Sequence, residues 1–189
     1  MHEHQNCLIC EESNLEKFKG YFPKHPLVSC KNCGFVFMSQ IPSLNELDKY
    51  YSSYSYENGG YLSPLTIKSY QTLLDEFEKY RVSNRILDVG CGRGWFLEEA
   101  KKRGWEVFGT EYSSTAVNLC ESKGILMKSG KLDPKSFDTT KEFDVITSFE
   151  VLEHINNPIE ELQNIKKLLR KGGLFYCTTP NFNSFEISR

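Results

Sequence analysis

The sequence lacks a long apolar run and a leader segment, and each absence excludes a class of protein. No stretch of its 189 residues approaches the roughly 18 apolar residues that a membrane-spanning helix needs. The first ten residues, MHEHQNCLIC, contain no basic segment followed by an apolar one, as a secretory signal would. We therefore expect a cytoplasmic protein that does not enter a membrane.

An excess of charge of either sign is also missing. The chain has 23 lysines and arginines and 25 aspartates and glutamates, and these charges are balanced both before and after Arg85. A protein whose main partner is a nucleic acid usually carries a basic surface. The balance argues against such a partner and favours a small-molecule one.

The seven cysteines are odd in number and follow no export signal, which disfavours a full disulfide framework. Four of them form two C-x-x-C pairs: Cys7, Cys10, Cys30 and Cys33. Nineteen residues separate the pairs, a spacing typical of four-cysteine zinc sites. Such a closed site would be structural and would hold together a ribbon too small for its own core. The alternative is surface thiol clusters or two disulfides.

Other cysteines and histidines have simpler explanations. Cys120 and Cys177 fall in a predicted helix and a predicted strand, and we expect them to be small buried apolar side chains. With four thiols available, no further zinc ligand is needed from the neighbouring histidines, which are His2, His4 and His25.

Residues 43–82 form a connecting segment rich in tyrosine. Tyrosines stand at positions 50, 51, 54, 56 and 61, without a clean period beyond a short predicted helix over 44–51. Their amphipathic rings suit a lid over a cleft, and the favoured alternative is a linker that docks on the next domain. Ser63 and Pro64 then predict the start of an amphipathic helix over 64–81.

From residue 83 the chain alternates between short apolar runs and helical patterns. The predicted strands cover 85–89, 106–110, 125–128, 143–149 and 173–178, and the predicted helices cover about 94–103, 114–123 and 158–170. This alternation predicts an α/β fold, a Rossmann-like, doubly wound, mostly parallel sheet with helices on both faces. In such sheets ligands bind at the carboxyl ends of the strands, here at the loop after the first strand.

That loop carries three glycines in the stretch LDVGCGRGW. A dinucleotide fingerprint would place its third glycine where Trp95 stands. Asp88 puts a carboxylate where a pyrophosphate would sit, which repels phosphate and suits a cation. Glu111, at the end of the second strand, can accept hydrogen bonds from ribose hydroxyls. S-adenosylmethionine has an ammonium, a sulfonium and a ribose but no phosphate, and it fits all three features.

These features resemble the class I S-adenosylmethionine-dependent methyltransferases. The resemblance runs through ILDVGCGRGWFLEEAKKRGWEVFGTEYS, FDVITSFEVLEHINNP and LLRKGGLFYCTTPN and covers about residues 85–183. The cysteine pairs, a CGFVF turn and a YYSSY segment resemble a subset with an N-terminal zinc ribbon, many members of which act in bacterial polysaccharide or sugar pathways. The implied domains are a zinc ribbon over 1–42, a linker or lid with a helix over 43–82, and a methyltransferase domain over 83–189.

The resemblance also implies a role for each motif residue. The methionine end of the cofactor would be lined by Asp88, Gly90, Cys91, Gly92 and Gly94. Glu111 would hold the ribose, Tyr112 would lie on the adenine, and Leu132 would border it. Phe149 would lie beside the transferable methyl group. Lys131 stands where the family often has an acidic residue, so we expect adenine recognition there to depend on backbone groups.

The stretch Glu150-Val-Leu-Glu153-His154 ends the fourth strand beside the expected methyl group. His154 suits a general base that removes a proton from the acceptor, and Glu150 is the second catalytic candidate. Similar E-x-x-E-H sequences in ubiquinone-pathway and small-RNA methyltransferases bind a divalent metal, which would place an ion at Glu150, Glu153 and His154. The structural alternative is that Glu153 and His154 cap the strand end and fix the next loop.

The resemblance implies seven strands, of which five are present and the C-terminal hairpin is missing. The edge of the fifth strand would then be covered by a missing segment or by a second copy in a homodimer. The expected function is methyl transfer to a small-molecule acceptor, in particular a sugar or nucleotide-linked sugar. The alternatives are an RNA methyltransferase that grips its substrate with the zinc ribbon, and a module that binds the cofactor without turnover.

Overall fold

The computed structural model describes residues 2–19, 26–43, 46, 50, 60–138 and 140–180. Most of the predicted helix over 44–51, most of the tyrosine-rich stretch and His25 lie outside these residues. Within them, no helix is both long enough and apolar enough to cross a membrane.

The N-terminal part is built from short antiparallel strands. These are β1 (His2–Glu3), β2 (Leu15–Lys17), β3 (Leu27–Cys30), β4 (Val36–Met38) and β5 (Gln40–Ile41). β1 pairs with β5, and β2, β3 and β4 form a second sheet in that order. The buried centre is small and consists of Cys7, Val28, Cys30 and Phe37. So few apolar side chains supply little hydrophobic stabilisation to this part of the chain.

Helix α1 (Pro64–Phe77) begins as predicted. Its N-cap Ser63 accepts a hydrogen bond from the Thr66 nitrogen at 3.1 Å, and a proline occupies the first turn. The α-helix ends earlier than the predicted limit at 81, and a short 3-10 turn follows. The chain leaves the helix because backbone nitrogens just beyond it donate to the buried Asp144.

Five parallel strands form the main sheet in the order β10-β9-β6-β7-β8. They are β6 (Arg85–Val89), β7 (Glu106–Glu111), β8 (Leu126–Ser129), β9 (Phe143–Phe149) and β10 (Leu169–Thr178). The remaining helices are α2 (Trp95–Lys102), α3 (Ser114–Ser122) and α4 (Pro158–Leu168). The predicted fold is confirmed. The largest difference is that β10 begins at Leu169, because the chain passes directly from α4 into the strand.

Alternate residues of the central strands face opposite layers, as the pleat of a strand requires. Ile86 packs with residues of α1, α2 and α3, whereas Leu87 packs with residues of α4. The sheet is therefore covered on both faces by apolar layers. Polar side chains buried near the carboxyl ends of the strands stand out against this background as candidates for function.

The two isolated cysteines have different environments. Cys120 is buried in α3 as predicted, but the prediction for Cys177 is wrong, because its side chain is exposed. β10 lies at the edge of the described sheet, so Cys177 has a neighbouring strand on one side only. What covers this edge stays a prediction, and so do the domain limits at 42 and 82.

Candidate functional site

Three motif segments meet at the carboxyl edge of the main sheet. β6 lies between β7 and β9, so the loop after β6, residues 90–94, lies between the ends of both neighbours. We call it the glycine loop. Glu111 ends β7 and Phe149 ends β9. The parallel pairing therefore brings together residues that are far apart in the sequence.

Each glycine of the glycine loop has a positive φ, in the region that other residues avoid. Protein packing also requires two of these glycines. A Cβ atom on Gly90 would lie 2.6 Å from Val151 Cγ2, and one on Gly94 would lie 2.8 Å from Cys120 Sγ. The glycines therefore let the loop pack closely against its own protein, which the motif spacing alone did not reveal.

Glu111 is only 7% exposed, and its carboxylate organises the glycine loop. Oε2 accepts a hydrogen bond from the Gly92 nitrogen at 3.0 Å, and Oε1 accepts from the nitrogens of Tyr112 and Ser113 at 2.7 and 3.1 Å. A carboxylate has about four acceptor positions, so a ribose hydroxyl would add to these contacts or replace one. Sequence reasoning assigned Glu111 to a ligand and missed its role in the loop.

Asp88 is 3% exposed and accepts a hydrogen bond from Thr147 Oγ1 at 2.8 Å. Burial raises the pKa of Asp88 to about 7; the Thr147 bond opposes this rise, and the charge of Glu111 adds to it. Such a carboxylate needs a cationic partner to stay charged near neutral pH. Sequence reasoning missed Thr147. The feature that identifies it is the strand register, which pairs Thr147 of β9 with Asp88 of β6.

Helix α2 begins directly after the glycine loop. Its N-cap is Gly94, in the left-handed region, and no side chain caps the helix. The first-turn N–H groups and the dipole of such a helix favour a carboxylate ligand. Asp88 and this helix end therefore offer complementary charges on the two sides of the loop, suited to the ammonium and the carboxylate of an amino acid.

The ring of Phe149 lies in a cluster of aromatic side chains. Its centroid lies 5.0 Å from that of Phe96 and 5.9 Å from that of Tyr70, and the last two are 5.5 Å apart. Tyr70 belongs to α1, which sequence reasoning treated only as a packing helix. Burial, together with the charge of Asp88, raises the pKa of its hydroxyl. Helix α1 therefore contributes an aromatic wall close to Asp88.

The residues expected at the adenine differ in what they can contribute. Tyr112 is 37% exposed, so its ring can lie against a flat ligand. Leu132 is buried in the layer with α4, and its carbonyl accepts a hydrogen bond from Asn164 Nδ2 at 3.5 Å. The ammonium of Lys131 lies 3.8 Å from Glu160. Recognition of the adenine through backbone groups at 131 and 132 stays a prediction.

Cys91 belongs to the glycine loop, but its side chain packs against β7 and β8. Its Sγ lies 3.9 Å from Met127 Sδ, and a Cβ atom on Gly109 would lie 2.7 Å from the same sulfur. Hydrogen bonding with Cys120 and burial raise the pKa of the Cys91 thiol. The sulfur is thus a neutral packing group, while the backbone N–H of Cys91 donates to the Thr110 carbonyl at 3.0 Å and its carbonyl accepts from the Gly94 nitrogen at 2.9 Å.

The E-x-x-E-H stretch turns sharply at the end of β9. Glu150 has a φ of 54°, a strained value for a non-glycine residue and one often found at functional sites. His154 Nε2 lies 3.9 Å from Glu153 Oε1, and the imidazole is 56% exposed. Across the described ranges, the one group placed to hold a metal is the set of four cysteines. The structure therefore does not bring Glu150, Glu153 and His154 together as ligands.

The four N-terminal sulfurs do converge. All lie within 4.8 Å of one another, with 3.6 Å between Cys7 and Cys33 and 3.5 Å between Cys10 and Cys30. A tetrahedral zinc with Zn–S bonds of about 2.3 Å has sulfur–sulfur edges of about 3.8 Å, which fits these distances. The four thiols are free, so the structure does not contain the alternative of two disulfides. A hydrogen bond from Asn32 lowers the pKa of Cys10 to about 6, which favours its thiolate.

Comparison with known proteins places the chain among methyltransferases. The ubiquinone biosynthesis O-methyltransferase of Cereibacter sphaeroides (strain ATCC 17029 / ATH 2.4.9) is 32% identical over 104 residues, which is 52% of this chain and 42% of that protein. The protein of the same name from Colwellia psychrerythraea (strain 34H / ATCC BAA-681) is 31% identical over 103 residues, 51% of this chain and 42% of its own. This chain thus spans less than half the length of these relatives.

Two solved structures share the fold. The plantazolicin methyltransferase BpumL, in complex with a pentazolic desmethylPZN analog and SAH, has a TM-score of 0.56 and 26% identity over 75% of this chain and 57% of that one. CalS10, an amino pentose methyltransferase from Micromonospora echinaspora, has a TM-score of 0.54 and 21% identity over 76% and 59% of the two chains, which shows the fold alone. The subset with an N-terminal zinc ribbon stays a prediction. Residues 63–189 match the family model described as a methyltransferase domain, and the chain therefore belongs to the class I S-adenosylmethionine-dependent methyltransferases.

Proposed function

We propose that the chain binds S-adenosylmethionine at the carboxyl edge of the main sheet and methylates a small-molecule acceptor. The observation that carries this proposal is the complementary pair formed by the buried Asp88 and the uncapped N-terminus of α2. The first can accept an ammonium and the second a carboxylate. Together they match the amino-acid end of the cofactor.

Further contacts suit the rest of the cofactor. Glu111 would accept a hydrogen bond from a ribose hydroxyl, Tyr112 would lie on the adenine, and Phe149 with Tyr70 would line the space beside the reactive methyl group. The cofactor supplies an electrophilic methyl group on a sulfur that leaves as a neutral thioether. The protein then has to align the acceptor, exclude water and, where needed, remove a proton.

Calorimetry with S-adenosylmethionine and S-adenosylhomocysteine tests the first step. We expect the wild type to bind both, and Glu111→Gln to bind them more weakly by about 1 to 3 kcal/mol, because a charged acceptor is lost. Glu106→Gln is a matched control, since Glu106 lies at the opposite, exposed end of the same strand. Absence of binding by the wild type would overturn the proposal, and equal affinity in Glu111→Gln would remove Glu111 from the site.

We propose His154 as the residue that accepts a proton from the acceptor, with Glu150 as the second candidate. Its imidazole is exposed, and a neutral imidazole has a ring nitrogen that can accept a proton. In a full-length enzyme with a demonstrated substrate, His154→Ala should keep its cofactor affinity and lose turnover by ~10² to 10⁴. Glu153→Gln is the control for the neighbouring carboxylate. Loss of activity with a chelator and its recovery with Mg²⁺ or Mn²⁺ would instead support a metal at Glu150, Glu153 and His154. Turnover at the wild-type rate in His154→Ala would leave His154 only the role of capping the end of the strand.

We propose a sugar or nucleotide-linked sugar as the acceptor class. The proposal rests on the N-terminal cysteine pairs and their resemblance to the sugar-pathway subset. The matched relatives, named for ubiquinone biosynthesis and plantazolicin, leave the acceptor class open. A screen of hydroxyl and amino sugars, free and nucleotide-linked, against phenolic acceptors would decide the class. Methyl transfer to the phenolic compounds alone would overturn this choice.

We also propose one structural zinc per chain at the four cysteines, which form a closed tetrahedral set. Free thiols of this kind need a reducing compartment, which supports a cytoplasmic location. Elemental analysis of protein purified without chelator should find one zinc per chain. Cys10→Ser should lose it, whereas Cys177→Ser, at an exposed thiol, should keep it. Metal-free protein with all four thiols freely titratable would reject the site.

A further inference from the structure

The glycine loop is held on one side by residues at the end of α3. The carbonyl of Gly92 accepts a hydrogen bond from Cys120 Sγ at 3.3 Å, and the carbonyl of Arg93 accepts one from Lys123 Nζ at 2.8 Å. In a planar trans peptide the N–H group points opposite to the carbonyl. Holding these two carbonyls therefore sets the direction of the N–H groups that follow them.

Lys123 is the stronger of the two anchors. Its side chain is only 21% exposed, and Nζ also lies 2.7 Å from Glu98 Oε2 in α2. The ammonium thus joins a loop carbonyl to a helix carboxylate by charge-assisted hydrogen bonds, whereas the thiol of Cys120 is a weak donor. The carbonyl of Lys123 accepts a bond from Lys101 Nζ at 2.7 Å, which fixes the backbone of Lys123 as well.

We propose that Lys123 is a positioning residue for cofactor binding, which holds the glycine loop in its binding conformation before the cofactor arrives. This inference rests on the proposed function. A loop that is already ordered loses less conformational entropy when a ligand binds. Without the ammonium, this hydrogen bond to the Arg93 carbonyl would be lost, and more of the ordering of the loop would have to occur during binding.

Lys123→Met tests this role, because methionine keeps an unbranched side chain and removes the charge. Lys102→Met is the matched control, since Lys102 also pairs with a carboxylate of α2, that of Glu99, and within the described residues its ammonium bonds neither the glycine loop nor Lys123. The first readout is amide hydrogen exchange of residues 90–95 in the ligand-free protein. The second is the affinity for S-adenosylhomocysteine by calorimetry.

We expect Lys123→Met to exchange faster at these amides and to bind about 10-fold more weakly. Lys123→Arg should recover most of both properties, and Lys102→Met should match the wild type in both even if its melting temperature falls. Unchanged exchange and affinity in Lys123→Met would overturn the inference. An equal loss in Lys102→Met would also overturn it, because that result indicates general destabilisation.

Two further outcomes are decided by the same experiment. If Lys123→Met does not fold, Glu98→Gln replaces it, because this change removes only the second partner of the ammonium. Glu98→Gln should then increase the rate of amide exchange at residues 90–95, by less than is expected for Lys123→Met. An unchanged exchange rate would overturn the inference. If the wild type does not bind S-adenosylhomocysteine, the proposed function fails, and the exchange comparison still decides whether Lys123 orders the loop.

Discussion

Two buried aspartates lie at opposite ends of the main sheet and have opposite surroundings. Asp144, near the start of β9, accepts hydrogen bonds from Arg170 Nε at 2.6 Å and from the nitrogens of Val82 and Asn84 at 2.9 and 2.7 Å. Asp88, near the end of β6, accepts one from a single threonine. Burial alone would raise both pKa values. The donors around Asp144 hold the pKa of that carboxyl below its usual value, whereas the pKa of Asp88 rises to about 7.

This difference indicates that the Asp144 carboxylate stabilises the fold, whereas the Asp88 carboxylate is suited to binding a ligand. Asp144 joins the segment before β6 to the start of β10, so its hydrogen bonds are satisfied within the chain. Asp88 is buried with little compensation, as expected for a group whose cationic partner is a ligand. The amino edge of the sheet is thus organised for stability and the carboxyl edge for binding.

The largest expected effect is on stability, from Asp144→Asn. The substitution leaves the Arg170 guanidinium without its charged partner and weakens the acceptor for two backbone nitrogens. We expect the free energy of unfolding to fall by about 3 to 5 kcal/mol, measured by urea denaturation. Asp138→Asn, at an exposed aspartate, should change it by about 0.5 kcal/mol or less. A loss in Asp144→Asn no larger than in this control would contradict the structural role.

Asp88→Asn should have its main effect on binding. Without the carboxylate, the ammonium of S-adenosylmethionine loses a charged acceptor, so we expect affinity to fall by about 1.5 to 3 kcal/mol. Stability in the absence of cofactor should change little or increase, because an uncompensated buried charge is removed. Calorimetry and urea denaturation on the same preparation measure both quantities. A variant that is as unstable as Asp144→Asn would show that the two carboxylates are alike.

The contributions of the two aspartates to stability should change with pH in opposite directions. The raised pKa of Asp88 contributes stability that is fully present below about pH 3.9 and is lost as the pH rises to about 7. The lowered pKa of Asp144 contributes stability that is present at neutral pH and is lost on acidification. Asp88→Asn should therefore remove a decline on the order of 3 to 4 kcal/mol between these two pH values. An unchanged profile would contradict the raised pKa.

The sequence predicted the fold because each layer follows a simple period. Strands β6 and β9 matched their predicted limits although each contains polar residues, Asp88 and Asp144 among them, and the four cysteines were predicted to converge because each C-x-x-C pair brings two sulfurs together locally. The exposed Cys177 was wrongly expected to be buried, because burial of a strand residue depends on whether a neighbour covers it. Periodicity does not contain that information.

The candidate site was predicted less completely than the fold. Asp88 and Glu111 could be selected because they are among the last two residues of strands that meet at the carboxyl edge. The use of Glu111 to hold Gly92, and of Lys123 to hold the Arg93 carbonyl, depends on the directions of backbone groups in a loop of positive φ. A residue pattern does not specify those directions, so these contacts could not be foreseen.

The smallest expected effect comes from Thr147, which adjusts the ionisation of Asp88. Its hydroxyl donates to Asp88 Oδ1 at 2.8 Å and opposes the rise of the pKa of Asp88. Thr147→Val keeps the shape of the side chain and removes the donor, so the pKa of Asp88 should rise further. At pH 7 a smaller fraction of Asp88 would then be charged. We expect affinity for S-adenosylmethionine to fall about 2- to 5-fold and stability to change by about 1 kcal/mol or less.

The pH profile of binding distinguishes this role from simple packing. If the ammonium binds the ionised form of Asp88 as proposed, affinity in the wild type should rise with pH up to about 7. In Thr147→Val the same rise should occur at higher pH, so the two proteins should converge in alkaline buffer. Thr147→Ser retains the hydroxyl and should follow the wild type. A loss of affinity in Thr147→Val that is equal at every pH would assign Thr147 to packing and would leave Asp88 without a partner that controls its charge.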